Sequence, residues 1–254
     1  MQIALTRSVP RAIERCELTH LVRVPIDWER AVRQHAAYEQ ALRDLGCRVE
    51  RLPETPDLPD SVFVEDTAVV VEQLAIIARP GVESRRAEVE TAAAALGPYR
   101  RLAFIEPPGT LDGGDVLVTP ARVFVGASAR TNAEGARRLA EILAPIGYDV
   151  TSVPIRNCLH LKSAVTLASH ATLLLNPDWI DAAIFGGFTL VHVDPAEPSA
   201  ANVLRVGRRV LCAAEYPRTR ARLEAAGLET CAVEASELAK AEGGLTCCSV
   251  IFDV

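Results

Sequence analysis

The sequence predicts an α/β fold assembled from repeated strand–strand–helix–strand units. Three observations carry that prediction. Five helical segments are each followed by a glycine or glycine–proline turn and then a β-rich run. Pairs of short apolar runs lie between these helix–strand segments. The pattern returns at about 40–50 residues, too short for one unit to bury its own apolar face, so copies must pack on one another. No linker or low-complexity stretch divides the 254 residues. Residues 1–254 are therefore expected to form one domain.

Residues 1–7 lack the basic-then-apolar layout of a signal peptide and read as a first strand. The first helical segment spans 27–45, turns at Gly46 and continues as a β-rich run over 47–52, stopping at Pro53. The second spans 84–96, turns at Gly97-Pro98 and runs on over 101–105. The third spans 132–146, turns at Gly147 and runs over 148–153 to Pro154. The fourth spans 178–185, turns at Gly186-Gly187 and runs over 188–193. The fifth spans 217–226, turns at Gly227 and runs over 228–233. Glycine is the expected residue just past a helix end. Hairpins are predicted for 67–71 with 75–78, for 116–118 with 123–125 across the turn 119–122, and for 202–206 with 209–212 around Gly207. Loops at one end of each unit would converge on a central channel, where residues far apart in sequence could meet.

Composition narrows the function. Hydrophobic residues at 49% and charged residues at 24% describe a globular chain. A net charge of −6 argues against nucleic acid or an anionic membrane as partner. No apolar run reaches membrane-spanning length. A cytoplasmic protein is expected. The seven cysteines are odd in number and include no C-x-x-C pair, which supports neither a disulfide scaffold nor a structural zinc site. Cys16, Cys47, Cys158, Cys212 and Cys231 read as incidental thiols, and the five histidines lack metal spacing.

The chemistry-bearing residues are spread over distant loops. Gly243-Gly244-Leu245-Thr246-Cys247-Cys248-Ser249 precedes the apolar run 250–252, so a thiol would stand at the mouth of a buried strand. Alone, that stretch also describes two small buried thiols, the usual fate of free cysteine. Asp60, Glu65 and Asp66 flank or interrupt the apolar residues 62–64 and 67–71 as if carried on a strand. Carboxylates so placed need a cation or good donors, and a cationic ligand is one way to supply them. Thr110-Leu111-Asp112-Gly113-Gly114-Asp115 is a glycine-rich turn without the lysine of a phosphate loop. His160, between Leu159 and Leu161 at what reads as a strand start, is a structural histidine or, with a cysteine and acids nearby, an acid/base. Arg85 and Arg130 each precede a helix, where the dipole disfavours cations, and together they suit a carboxylate clamp.

In combination the strings FVEDTAVV, RPGVESRRAE, GTLDGGDVL, SARTNAEGA, LHLKS and LTCCS closely resemble the dimethylarginine dimethylaminohydrolase family of the guanidino-group-modifying (pentein) superfamily, over essentially the whole chain. The resemblance implies a five-bladed αβ propeller of ββαβ units around a central active-site channel. It implies hydrolysis of asymmetric dimethylarginine or monomethylarginine to citrulline and dimethylamine or methylamine, with no metal or organic cofactor, by a monomer or homodimer. Carried over residue by residue, it makes Cys247 the nucleophile and His160 the general acid/base. Asp66 and the catalytic Asp112 would be the carboxylates around the guanidinium, with Glu65 beside them, and Arg85 and Arg130 would bind the substrate carboxylate. Asp60, with the backbones of Leu18 and Ala241, would hold the α-amino end, with Leu18 on a flap over the site. Some relatives carry glutamate where Asp112 stands.

Arginine deiminases of the same superfamily are the nearest alternative. They are longer and carry aspartate two residues after the histidine, where this chain has Lys162. A dimethylated nitrogen offers no proton to a second acid, so that change favours a methylated substrate. A non-catalytic binder such as the translation initiation factor six family shares the implied architecture but lacks reason for the Cys247, His160, Asp66 and Asp112 set.

Overall fold

The computed structural model describes residues 1–120 and 122–254. Ala121, within the turn expected at 119–122, lies outside the described residues. The elements run β1 (Gln2–Thr6), α1 (Trp28–Asp44), β2 (Cys47–Arg51), β3 (Ala68–Val70), β4 (Leu74–Ile77), α2 (Val89–Leu96), β5 (Arg101–Phe104), β6 (Val116–Val118), β7 (Arg122–Ala127), α3 (Ala133–Leu143), β8 (Asp149–Pro154), α4 (Leu161–Ala164), β9 (Val165–Leu167), β10 (Thr172–Leu175), β11 (Thr189–His192), β12 (Leu204–Val206), β13 (Arg209–Ala213), α5 (Pro217–Ala225), β14 (Glu229–Val233), α6 (Ser236–Ala239) and β15 (Val250–Asp253). Among the described residues no helix is long and apolar enough to cross a membrane.

The described residues form five three-stranded sheets with one plan. A hairpin supplies two antiparallel strands, and a third joins in parallel after a crossover, as in β3–β4–β5 and β6–β7–β8. The first sheet is completed from the far end of the chain: β15 pairs antiparallel with β1, Leu5 opposite Val250, and β2 pairs parallel on the other side. β3, β6, β9, β12 and β15, one per sheet, contribute Val69, Leu117, Thr166, Leu204 and Ile251 to the wall of a central cavity of about 730 Å³. The repeated α/β units read from the sequence, and the αβ propeller that the resemblance implied, are the fold observed.

Alternation along the middle strands explains why no unit could stand alone. In β4, Leu74 and Ile76 enter one apolar cluster while Ala75 and Ile77 enter the next. β7 sends Val123 and Val125 one way and Phe124 the other. β10 does the same with Leu173 and Leu175 against Leu174, and β13 with Leu211 against Val210 and Cys212. Each cluster thus joins neighbouring sheets, and a strand buried on both faces reads as a continuous apolar run. Each fully buried Leu, Ile or Phe contributes about 1.5–3 kcal/mol, so the blades hold one another in place.

Local chemistry sets the helix bounds. The Asp27 carboxylate accepts from Arg30 N at 2.9 Å to cap α1, and Asn132 Oδ1 accepts from Gly135 N at 2.8 Å to cap α3. Gly46, Gly147 and Gly227 take positive φ where helical segments end, as expected. The helix expected over 178–185 is not formed. Ile180 is drawn into a β-bridge with Ile155, so helical structure begins only after Asp181 and shrinks to a 3-10 turn at Ala182–Phe185. The strand expected around residues 62–66 is also absent. Residues 60–62 turn, Val64–Thr67 form a 3-10 turn, and the strand begins at Ala68. His160 takes the position just before the four-residue α4, without a side-chain bond to it, rather than opening a strand.

Candidate active site

The 3-10 turn at Val64–Thr67 aims two neighbouring carboxylates at different partners. Asp66 accepts from Arg85 Nη1 at 2.6 Å through Oδ2 and from Gly114 N at 2.9 Å through Oδ1. Glu65 accepts from Lys162 Nζ at 2.7 Å and from Thr246 Oγ1 at 2.6 Å. Glu65 therefore ties the residue beside Cys247 to the residue two places after His160. Asn202 braces the same junction, accepting from Thr246 N at 2.9 Å and donating to the Lys162 carbonyl at 3.1 Å.

His160, 4% exposed, stands between two acids. Its Nε2 is 3.0 Å from Asp112 Oδ2 and its Nδ1 is 3.8 Å from Asp66 Oδ1. Gly114 makes this possible, because a Cβ there would lie 2.7 Å from His160 Nδ1 and 2.8 Å from Asp66 Oδ1. Burial alone would favour neutral imidazole, but Asp66, then Asp115 and Asp112, outweigh it and raise His160 to about 9. Burial likewise opposes the Asp66 anion, yet His160 and Arg85 pull its carboxyl down to about 2. Asp112 is anchored through Oδ1, which accepts from Gly81 N at 2.9 Å.

Cys247 lies in the 3-10 turn Thr246–Cys248 just before β15, at the strand mouth expected. Its Sγ accepts from Gly244 N at 3.2 Å. Burial, then Glu65 and Asp66, push the thiol up to about 12. Glu65 is itself pushed up by burial, against the pull of Lys162 and Thr246. Free Cys247 is thus a thiol beside carboxylates, and added positive charge in the cleft would favour its anion.

The arginine pair differs from the clamp expected. Arg85 is 3% exposed, and its donors are largely spent within the protein. Nε and Nη2 reach Glu88 at 3.2 and 2.8 Å, Nη2 also reaches the Phe63 carbonyl at 3.2 Å, and Nη1 holds Asp66. The anion that a helix-start cation needs comes from Glu88 and Asp66, so Arg85 orients Asp66 in this state. Arg130 is freer: Nη2 donates to Thr19 Oγ1 at 3.1 Å and Nη1 lies 3.8 Å from Asp112 Oδ2.

The flap lies across this end of the site. The Asp60 carboxylate accepts from Glu17 N at 3.1 Å, one residue before Leu18. Leu18 and Cys247 both pack on the buried cluster that holds Ala241 and Leu245. Glu242, beside Ala241, accepts from three successive flap amides: Thr19 N at 3.0 Å, His20 N at 2.5 Å and Leu21 N at 2.6 Å. Sequence reasoning missed Glu242, Thr246, Asn202 and Asp115. Asp115 sat in a Gly-Gly-Asp string that reads as a hairpin turn, and the rest carried no local signal.

Asp66, Asp112 and His160 offer ligand atoms all within 4.8 Å of one another, the donor types of a cation site. Each carboxylate there already accepts a backbone amide and faces an arginine. The arrangement can hold a planar cation among acids, present a thiol to it and deliver a proton from His160.

Comparison with known proteins agrees with the geometry. Residues 23–183 match the family model described as N,N dimethylarginine dimethylhydrolase, eukaryotic. The N(G),N(G)-dimethylarginine dimethylaminohydrolase of Streptomyces coelicolor is 42% identical over 248 residues, 96% of this chain and 94% of that one. The enzyme of the same name from Pseudomonas aeruginosa is 37% identical over 228 residues, 89% of this chain and 90% of that one. A solved Pseudomonas aeruginosa structure, a cysteine-to-serine mutant complexed with citrulline, superposes with a TM-score of 0.94 at 35% identity, covering 98% of both chains.

Proposed function

Because the chain belongs to the dimethylarginine dimethylaminohydrolase family, we propose that it hydrolyses Nω-methylated arginines to citrulline and a methylamine. The observation that carries this reading is the Glu65 bridge, which joins the Cys247 turn through Thr246 to the His160 loop through Lys162. Glu65, Lys162 and Thr246 all line the central cavity, so the bridge ties the thiol-bearing turn to the histidine loop beside it.

Asp66 and Asp112 orient the substrate guanidinium and resist its rotation, holding Cζ in line for attack. Arg130 receives the α-carboxylate, with Arg85 behind it fixing Asp66. Asp60 and the Leu18 and Ala241 backbones receive the α-amino group. The arriving guanidinium offsets the carboxylates around Cys247 and draws out the thiolate, the thiol proton passing to solvent because His160 is already protonated. Sulfur attacks Cζ to give a tetrahedral adduct. His160 gives its proton to the departing dimethylamine or methylamine nitrogen, the C–N bond breaks, and a thiouronium remains on Cys247. His160 then takes a proton from the attacking water. The second adduct collapses with loss of sulfur, leaving the urea of citrulline.

Lys162 argues against free arginine as the principal substrate. Its ammonium, held by Glu65, stands where an arginine-specific site would present another acid, so the leaving nitrogen needs no acceptor for its own protons. The cytoplasm is the expected site of action. Acid quenching during turnover of asymmetric dimethylarginine, followed by peptide mass spectrometry, tests the mechanism. A thiouronium adduct on the Cys247 peptide supports it, and citrulline release with no adduct on any cysteine contradicts it.

A further inference from the structure

Asp115 lies outside the roles given above, yet it touches three parts of the site. It is 0% exposed. Its Oδ1 accepts from Leu161 N at 3.0 Å, the amide next to His160. Its Oδ2 accepts from Ser128 Oγ at 2.5 Å and Thr131 Oγ1 at 2.7 Å, on either side of Arg130. Thr131 Oγ1 in turn accepts from Asp112 N at 3.2 Å. One side chain thus joins the histidine loop, the arginine loop and the Asp112 backbone.

The hydrogen-bond directions call for an acceptor at all three contacts, which a carboxylate supplies without a proton of its own to place. Ser128 Oγ already accepts from Arg130 N at 3.0 Å and Thr131 N at 3.2 Å, so only its proton remains to give. Thr131 Oγ1, committed to the Asp112 amide, likewise gives its proton, and Leu161 N can only donate. All three partners need an acceptor, and an asparagine amide group would face hydroxyl oxygens already in use. Space is reserved as well: a Cβ on Gly126 would lie 2.6 Å from Asp115 Oδ1. Burial pushes the Asp115 carboxyl up from its ordinary value, while His160 and these three donors pull it back.

We propose that Asp115 is a positioning residue for the reaction, setting His160, Asp112 and Arg130 relative to one another through the Leu161 amide and the Ser128 and Thr131 hydroxyls. The inference rests on the reading of His160 as acid and base. Asp115 also acts on His160 by charge. The acids facing the imidazole are Asp66 from the 64–67 turn and Asp112 and Asp115 from the 111–115 loop, with Arg85 behind Asp66 and Arg130 beside Asp112.

The test follows the His160 imidazole by NMR from pH 6 to 10 in wild type and Asp115→Asn, beside kcat and KM for asymmetric dimethylarginine. In folded Asp115→Asn the His160 midpoint should fall by about one unit, with kcat lower by about 10–100-fold. An unmoved midpoint or an unchanged kcat in the folded variant overturns the proposal. Should Asp115→Asn fail to fold, Thr131→Val keeps the charge and removes the hydroxyl that links Asp115 to the Asp112 amide. KM should then rise about fivefold as Arg130 loosens, and wild-type kcat and KM in that variant would contradict the assignment. A wild type that turns over no methylarginine removes the reaction, while the titration still decides whether Asp115 sets His160.

Discussion

His160 Nε2 sits 3.0 Å from Asp112 Oδ2, while its Nδ1 faces Asp66 Oδ1 at 3.8 Å. Both ring nitrogens look onto carboxylates, so the resting imidazole carries a proton at neutral pH. With Cys247 pushed up to about 12, the resting site holds an imidazolium and a thiol. Substrate must bring the charge that ionises the sulfur, and the histidine is already loaded with the proton the leaving amine needs.

A raised histidine makes stability depend on pH. The His160 value rises from 6.5 to about 9 on folding, so its contribution is fully present below pH 6.5 and is lost as pH climbs through about 9. Denaturant unfolding of wild type should lose stability across that window. His160→Asn should lose less over the same range. Equal slopes in the two proteins would show that the imidazole is not held charged.

Resting Cys247 should be slow to alkylate. At pH 7.5 a thiol near 12 is ionised to well under about one part in a thousand. Its reaction with iodoacetamide should rise steadily with pH up to at least 9.5. A plateau below pH 8 would mean that the thiolate forms without substrate.

Lys162→Met should leave Glu65 as an uncompensated acid beside the thiol. Breaking such a partly buried pair costs about 2–3 kcal/mol, discounted for the partial exposure of Lys162. Turnover should fall by about tenfold or more, because Cys247 becomes harder to ionise. Denaturant midpoints and steady-state kinetics measure the two effects separately.

Glu242→Gln should loosen the flap. All three amides donate to Oε1, and Thr19 N also reaches Oε2. Glutamine keeps one acceptor but loses the charge that strengthens these bonds, and it turns an amide NH2 toward Thr19 N. KM for methylarginine should rise by about 3–10-fold as charge-assisted bonds are lost, with faster limited proteolysis within 17–24. Unchanged KM and cleavage rate would mean that the latch does not govern closure.

The repeat was readable because Gly46, Gly147 and Gly227 punctuate the units and the middle strands are apolar on both faces. Pairing of β1 with β15 was not, since nothing local to Leu5 announces Val250 as its partner. The helix over 178–185 failed for a tertiary reason, the Ile155–Ile180 bridge. Cys247 and His160 stood out only through the combined motifs. The ion pairs of Arg85 were not legible, because a sequence shows an arginine before a helix but not that Glu88 and Asp66 converge on its guanidinium. Asp115 was hidden by being part of a turn motif that is common without function.

The most direct test is citrulline formation by the purified protein from asymmetric dimethylarginine, symmetric dimethylarginine and arginine side by side, with Cys247→Ser as control. Preference for the asymmetric compound, with loss of turnover in the variant, is the expected result. Preference for arginine, or undiminished turnover in Cys247→Ser, would contradict it.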